Sequence, residues 1–132
     1  MGLFDKLTGS KNIELNPKSA LVLTALTVVA ADGVLDEAEA NDLAKIVRGD
    51  RKSIEDAIKV LKANPLDESM NLVAKCLDEK QKVATLAIVI DLAMADGVLA
   101  AEEQKIIQVY INKFGISEDT LKPIFDTIAL KK

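Results

Sequence analysis

An all-α fold made from two copies of one helical unit follows from three features of this chain. Hydrophobic residues make up 49% of the 132-residue sequence while aromatics make up only 3%. The core therefore consists of Leu, Ile, Val and Ala, which suits helices packed on helices. Strict two-residue alternation, the mark of a strand with one buried face, is absent. The segment Ala31-Asp32-Gly33-Val34-Leu35 recurs as Ala95-Asp96-Gly97-Val98-Leu99.

The repeat spacing organises the whole chain. Asp32 recurs as Asp96, an offset of 64 residues, and Glu39 falls on Glu103 in the same register. The apolar run from Ala20 to Ala30 falls on Ala84 to Met94, and Leu43, Ile46 and Val47 fall on Ile107, Tyr110 and Ile111. Ser53 falls on Ser117 and Leu61 on Phe125. Fixed-period self-similarity defines the architecture before any single element is assigned. Repeat one spans 19–64, repeat two spans 83–130, and one domain accommodates all of 1–132.

Each repeat reads as three helices. The first, about 19–31 and 83–95, is apolar nearly all round and is expected to be central and buried. In the second of these, Leu86, Val89, Ile90 and Ala93 form the core stripe. Gly33 and Gly97 end these helices. The second helix runs about 37–48 and 101–114. Asp36 and Glu39 have capping-box spacing in the first copy, whereas Ala100 replaces the cap in the second and Glu103 remains. Gly115 stops that helix.

The third helix starts at Ser53 or Ser117. Its inner face is Ile54, Ala57, Ile58 and Leu61 in one copy, and Leu121, Ile124, Phe125 and Ile128 in the other. Pro123 kinks or delays the last helix. Between the repeats, Pro65 breaks the chain, and Asp67 caps a bridging helix over 66–78 whose inner face is Met70, Val73 and Leu77. Asp78 with Gln81 opens the next repeat. The expected fold is a seven-helix bundle: two three-helix repeats related by a pseudo-twofold axis, plus the bridge.

Composition restricts the chemistry. The absence of histidine removes Ser-His-Asp and Cys-His catalysis and any His-ligated metal. Cys76, the single cysteine, cannot form an internal disulfide, and among Leu72, Val73 and Leu77 it reads as a small core hydrophobe. Net charge is −4, with 21 acidic and 17 basic residues spread along the chain. No basic cluster supports nucleic-acid binding. The two apolar stretches are each about a dozen residues, short of the ~20 a membrane span requires. One free thiol and no export signal favour the cytoplasm. Residues 1–12 form an amphipathic segment, with Leu3, Phe4 and Leu7 on one face. It reads either as a foot that docks on the domain or as a weak membrane-surface or partner contact through residues 3–7. Lys6 stands where a myristoylation signal requires Ser or Thr.

Carboxylates are the residues with chemical potential. Gly33, Leu35 and Glu39, and again Gly97, Leu99 and Glu103, have the spacing of the central Gly, apolar residue and final Glu of an EF-hand loop. The first ligand positions would be Val28 and Ala30, or Leu92 and Met94, which cannot bind calcium. What remains is a helix–turn–helix corner with several acids. Asp32 and Asp96 sit at helix C-termini, where the macrodipole disfavours negative charge. Each is stabilised either by amides of the following turn or by a cation. Asp91 is the only charged residue between Val83 and Ala95. A carboxylate in such a helix has to be paired, hydrated or metal-bound. Its repeat counterpart is Thr27. The expectation is that Asp91 is mostly buried and close to the Asp96–Glu103 corner. No nucleophile, phosphate-binding loop or cofactor motif accompanies these acids, so the chain does not read as an enzyme.

Paired helical repeats, each centred on an Ala-Asp-Gly turn with an acid seven residues after the aspartate, resemble the TerB tellurite-resistance family. The likeness covers roughly 19–130, and the opening Gly-Leu-Phe-Asp-Lys is similar to starts seen in TerB-like proteins. The same fold class occurs in the N-terminal region of a DnaJ-type co-chaperone. The resemblance implies a carboxylate cluster of Asp91, Asp96 and Glu103, with Asp32 and Glu39 in the other copy. All-oxygen ligands favour Ca²⁺, Mg²⁺ or Mn²⁺ over zinc. Thr27 and Ala100 depart from symmetry, which favours the second repeat as a single site. The resemblance further implies a non-catalytic role in tellurite resistance or stress response, beside other stress proteins, membrane-associated ones included, at the inner face of the membrane. A cation-sensing module and a co-chaperone-like docking domain are the alternatives, and symmetric pairing into a homodimer stays open.

Overall fold

The computed structural model describes residues 15–29, 45, 48, 50–94 and 99–131. Six helices occur among them: Pro17–Val29 (α1), Arg51–Ala63 (α2), Leu66–Cys76 (α3), Glu79–Ala93 (α4), Ala101–Phe114 (α5) and Glu118–Lys131 (α6). There is no strand among the described residues. The chain is thus all-α. Of the expected second helix, 37–48, only residues 45 and 48 are described, and the N-terminal segment 1–12 and the Asp32–Gly33 and Asp96–Gly97 segments lie outside the described residues.

α1 is the centre of the bundle. Ala20, Val22, Leu23, Ala25 and Val28 are fully buried, and α2, α3, α4 and α5 all pack against this helix. Beyond its first turn, where Pro17 and Lys18 are exposed, it has no solvated face to present. Its two buried threonines satisfy their hydroxyls locally: Thr24 Oγ1 donates to the Ala20 carbonyl at 2.7 Å and Thr27 Oγ1 to the Thr24 carbonyl at 2.8 Å. The helix starts at Pro17, two residues before the expected position. Asn16 is the cap: its Oδ1 accepts from the Ser19 amide at 2.9 Å while Ser19 Oγ accepts from the Asn16 amide at 2.8 Å. Pro17 follows as the first helical residue, where its missing N–H has no cost.

Other boundaries divide into those the sequence reading anticipated and those it misplaced. Asp78 and Gln81 form the reciprocal box at the start of α4, with bonds of 2.8 and 3.0 Å. Gly115 ends α5 in the left-handed conformation, φ 67° and ψ 33°. Met70, Val73 and Leu77 are buried along α3, which stops at Cys76. Ser53, however, is not a cap. Asp50 is, accepting from the Ser53 amide at 3.2 Å and from Ser53 Oγ at 3.0 Å. These bonds hold the Asp50 carboxyl below its ordinary pKa, the backbone amide of Ser53 contributing most. Of the expected inner face of α2, Ala57 is buried and Ile54 and Leu61 pack against the core, with Ser53 and Val60 buried beside them, while Ile58 is exposed. Nor does Asp67 cap α3. Pro65 occupies the cap position without a side-chain bond, and Asp67 lies in the first turn, where negative charge suits the helix dipole. Pro123 lies inside an unbroken α6. The carbonyl it cannot bond belongs to exposed Asp119 in the first turn, where water satisfies it.

Gly115 permits a test of the α5 terminus. A Cβ built there meets nothing within 4 Å, so Gly115→Ala isolates the left-handed backbone penalty. A loss of about 1–2 kcal/mol is expected in urea denaturation. An unchanged midpoint would mean that α5 ends differently in solution.

Candidate functional site

The five predicted acids fall unequally on the structure. Asp32, Glu39 and Asp96 lie outside the described residues. Glu103 is buried in the first turn of α5. Its Oε1 accepts the Ala100 amide at 2.9 Å. The cap position therefore keeps the half of the box that Glu103 supplies, since the Ala100 methyl accepts nothing. Gln104 Nε2 adds a 2.9 Å bond to the Leu99 carbonyl. These contacts fix Leu99 and Ala100 against the first turn of α5.

Asp91 sits three residues before the C-cap of α4. It is half-buried rather than enclosed, with Oδ1 shut off from solvent. It lines a groove of about 390 Å³ between α4 and α6, together with Ala87, Ile88, Pro123, Ile124, Thr127 and Ile128. The helix therefore has a partly solvated flank, which the uninterrupted apolar sequence conceals. Neither Asp91 nor Glu103 lacks a polar or electrostatic partner. Among the described residues, no three acidic, cysteine or histidine side chains converge.

The sequence reading missed the polar contact at the centre of the molecule. Tyr110 of α5 is fully buried, and its hydroxyl lies 2.6 Å from Thr27 Oγ1 of α1. Because Thr27 already donates to Thr24, the phenol is the donor in this pair. Burial pushes the Tyr110 pKa up to about 12, while the bonds from Thr27 and Thr24 act in the opposite sense. Phe114 packs against the ring at 5.4 Å between centroids. A signal was present in the repeat register: Thr27 replaces an acid and Tyr110 replaces Ile46. Two departures from symmetry meet each other across the two halves.

A second tie joins the bridge to the second repeat. Lys113 Nζ of α5 lies 2.9 Å from Asp67 Oδ1 and donates to Asn71 Oδ1 at 2.7 Å, both on α3. Cys76 is half-buried and donates to the Leu15 carbonyl at 3.2 Å. Burial raises its thiol pKa, opposite to what a reactive cysteine requires.

Residues 18–124 match the family model described as tellurite resistance protein TerB. The chain belongs to the TerB family. The match takes in both Asp-Gly segments of the sequence and reaches into α6 of this TerB domain. No curated protein and no solved structure matches the chain. No helix among the described residues of this TerB chain is long and apolar enough to cross a membrane.

Proposed function

We propose that this TerB domain is a non-catalytic module of tellurite resistance and stress response, acting in the cytoplasm or at the inner face of the membrane through contact with other stress proteins. The observation that carries the reading is the family match across both corners. The roles of the buried polar groups agree with it: Tyr110 and Thr27 hold helices together, and Glu103 holds a helix start. The test is tellurite tolerance of a host lacking the gene, restored by the wild-type chain. Turnover of any substrate by purified protein, lost in Asp91→Asn, would overturn it.

The proposal includes the full architecture: one domain of seven helices, two repeats and a bridge. The ends of α1 and α4, Val29 and Ala93, stand at the repeat offset. An experimental structure in which residues 20–64 superpose on 84–128 is the expected result.

The second reading is a divalent-cation module. Glu103, held at the start of α5 by its bond to the Ala100 amide, is the observation that favours it. Asp91, Asp96 and Glu103 in one copy, and Asp32 and Glu39 in the other, would supply oxygens to Ca²⁺, Mg²⁺ or Mn²⁺. A cation at a hundred times its dissociation constant adds about 2.7 kcal/mol to stability. Thermal melts with each cation are therefore expected to rise for the wild type and to rise less for Asp91→Asn. Wild-type melting indifferent to all three cations removes this reading and leaves the interaction module. A co-chaperone-like docking domain is a third form of the same non-catalytic role.

A further inference from the structure

We infer that copies of this chain associate through α2, whose outer stripe seats in the cleft between α5 and α6 of a second copy. The cleft holds about 540 Å³. Ile111, Leu121 and Phe125 give it an apolar lining, and Phe125 is 41% exposed. Glu118, Asp119 and Asp126 line it as well, against the single base Lys122. Among the described residues, none of these three acids forms an ion pair. The cleft is thus apolar inside a mainly acidic border, the pattern of an interface whose apolar centre is ringed by polar groups.

α2 carries the complement of this cleft. Arg51, Glu55, Ile58, Lys59 and Lys62 are all exposed. They follow one another at three- and four-residue intervals, so they form one stripe, turned away from buried Ala57 and Val60. Lys52 and Asp56 lie beside the stripe and pair with each other at 3.2 Å. The stripe therefore offers three bases and one acid around Ile58, where the cleft offers three acids and one base around Phe125. The lengths agree as well. Arg51 to Lys62 spans about 16 Å and Glu118 to Asp126 about 12 Å, at about 1.5 Å per residue. Within one chain α2 packs on α1 and α3, and α6 packs on α4. A second copy sets each charge against its opposite and covers Ile58 with Phe125. Opposed charges of this kind fix the register of a contact and exclude wrong pairings. The two surfaces are unlike, so a reciprocal second contact closes a dimer and an unreciprocated one continues into chains.

The test is a charge exchange on the full chain, read by sedimentation velocity over a concentration series. Wild-type protein is expected to self-associate. One variant carries Lys59→Glu with Lys62→Glu, and the other Asp119→Lys with Asp126→Lys, all four positions being exposed. Each variant alone is expected to self-associate about tenfold or more weakly, because like charges then face each other. The second variant is the sharper case. Replacing two acids by lysines raises its net charge from −4 by four, to zero, so general repulsion between copies falls while the specific contact is lost. Mixed in equal amounts, the two variants are expected to associate as the wild type does, since the reversed stripe of one meets the reversed cleft of the other. Dimers and longer chains both support the contact when they respond in this way. Wild-type protein that stays monomeric up to about 1 mM overturns the inference. Self-association unmoved by either reversal overturns it too, as do two variants that remain apart when mixed.

Discussion

Tyr110→Ala is expected to destabilise the domain by about 3–5 kcal/mol, the range for truncating a large buried aromatic. Tyr110 is fully buried and touches both halves of the chain, through Thr27 on α1 and Phe114 on its own helix. The smaller substitutions resolve what the hydroxyl contributes. Tyr110→Phe removes a donor, but Thr27 keeps its bond to the Thr24 carbonyl, so a loss of about 0.5–1.5 kcal/mol is expected. Thr27→Val leaves a buried phenol short of its acceptor, at about 1–3 kcal/mol. The double variant loses less than the sum of the singles, with a coupling of about 1 kcal/mol in urea denaturation. Additive losses would show that the two hydroxyls do not meet in solution. The phenol also sets a pH response. Its folded pKa lies above the unfolded value of about 10, so its contribution is complete below pH 10 and is lost as pH rises towards about 12. The wild type therefore weakens over that window more than Tyr110→Phe does.

Leu23→Ala is expected to cost about 2–5 kcal/mol, towards the upper end, because a fully buried site in the central helix is poorly placed to collapse around the cavity. Leu23 is fully buried in α1, against which α2, α3, α4 and α5 pack. Val109→Ala is the contrast. Val109 is 37% exposed on α5, and a loss below about 1 kcal/mol is expected there. Denaturant midpoints of the two variants decide the matter, since equal losses would contradict the central position of α1. Tellurite tolerance is expected to follow stability in both, failing for Leu23→Ala and surviving for Val109→Ala.

The sequence made the core legible where one residue type serves one purpose. Asp78 with Gln81, Gly115, and the stripe of Met70, Val73 and Leu77 depend on local spacing, and local spacing is written in the chain. The misreadings have a common physical origin. Asp50 and Ser53 are both competent caps three residues apart, and the local sequence favours neither; the exposure of Ile58 is a separate matter, set by which side of the Ala57 stripe meets α1. At α3, Asp67 offers a side-chain acceptor, yet Pro65 holds the cap position with none. Of the candidate site, Glu103 was legible because its back-bond needs only Ala100. Asp91 was legible as unusual but not as half-buried, because its exposure depends on how closely α6 approaches α4. The Thr27–Tyr110 contact spans 83 positions, and no periodicity within one helix announces a partner on another.

The positions of α1 and α4 have a consequence for how the two helices tolerate change. α1 is hemmed in on every side, so almost any altered side chain in it meets a neighbour, and substitution there is confined to residues of similar volume without charge. α4 runs along the groove, and one flank of it is released from that restriction. Two stretches of similar sequence are thus under unequal constraint. The freer one is where a carboxylate, Asp91, has been accommodated. The confined one holds threonine at the same point, and its hydroxyl is taken up inside the fold. New chemistry in this domain is therefore most accessible to variation along the outer flank of the second repeat.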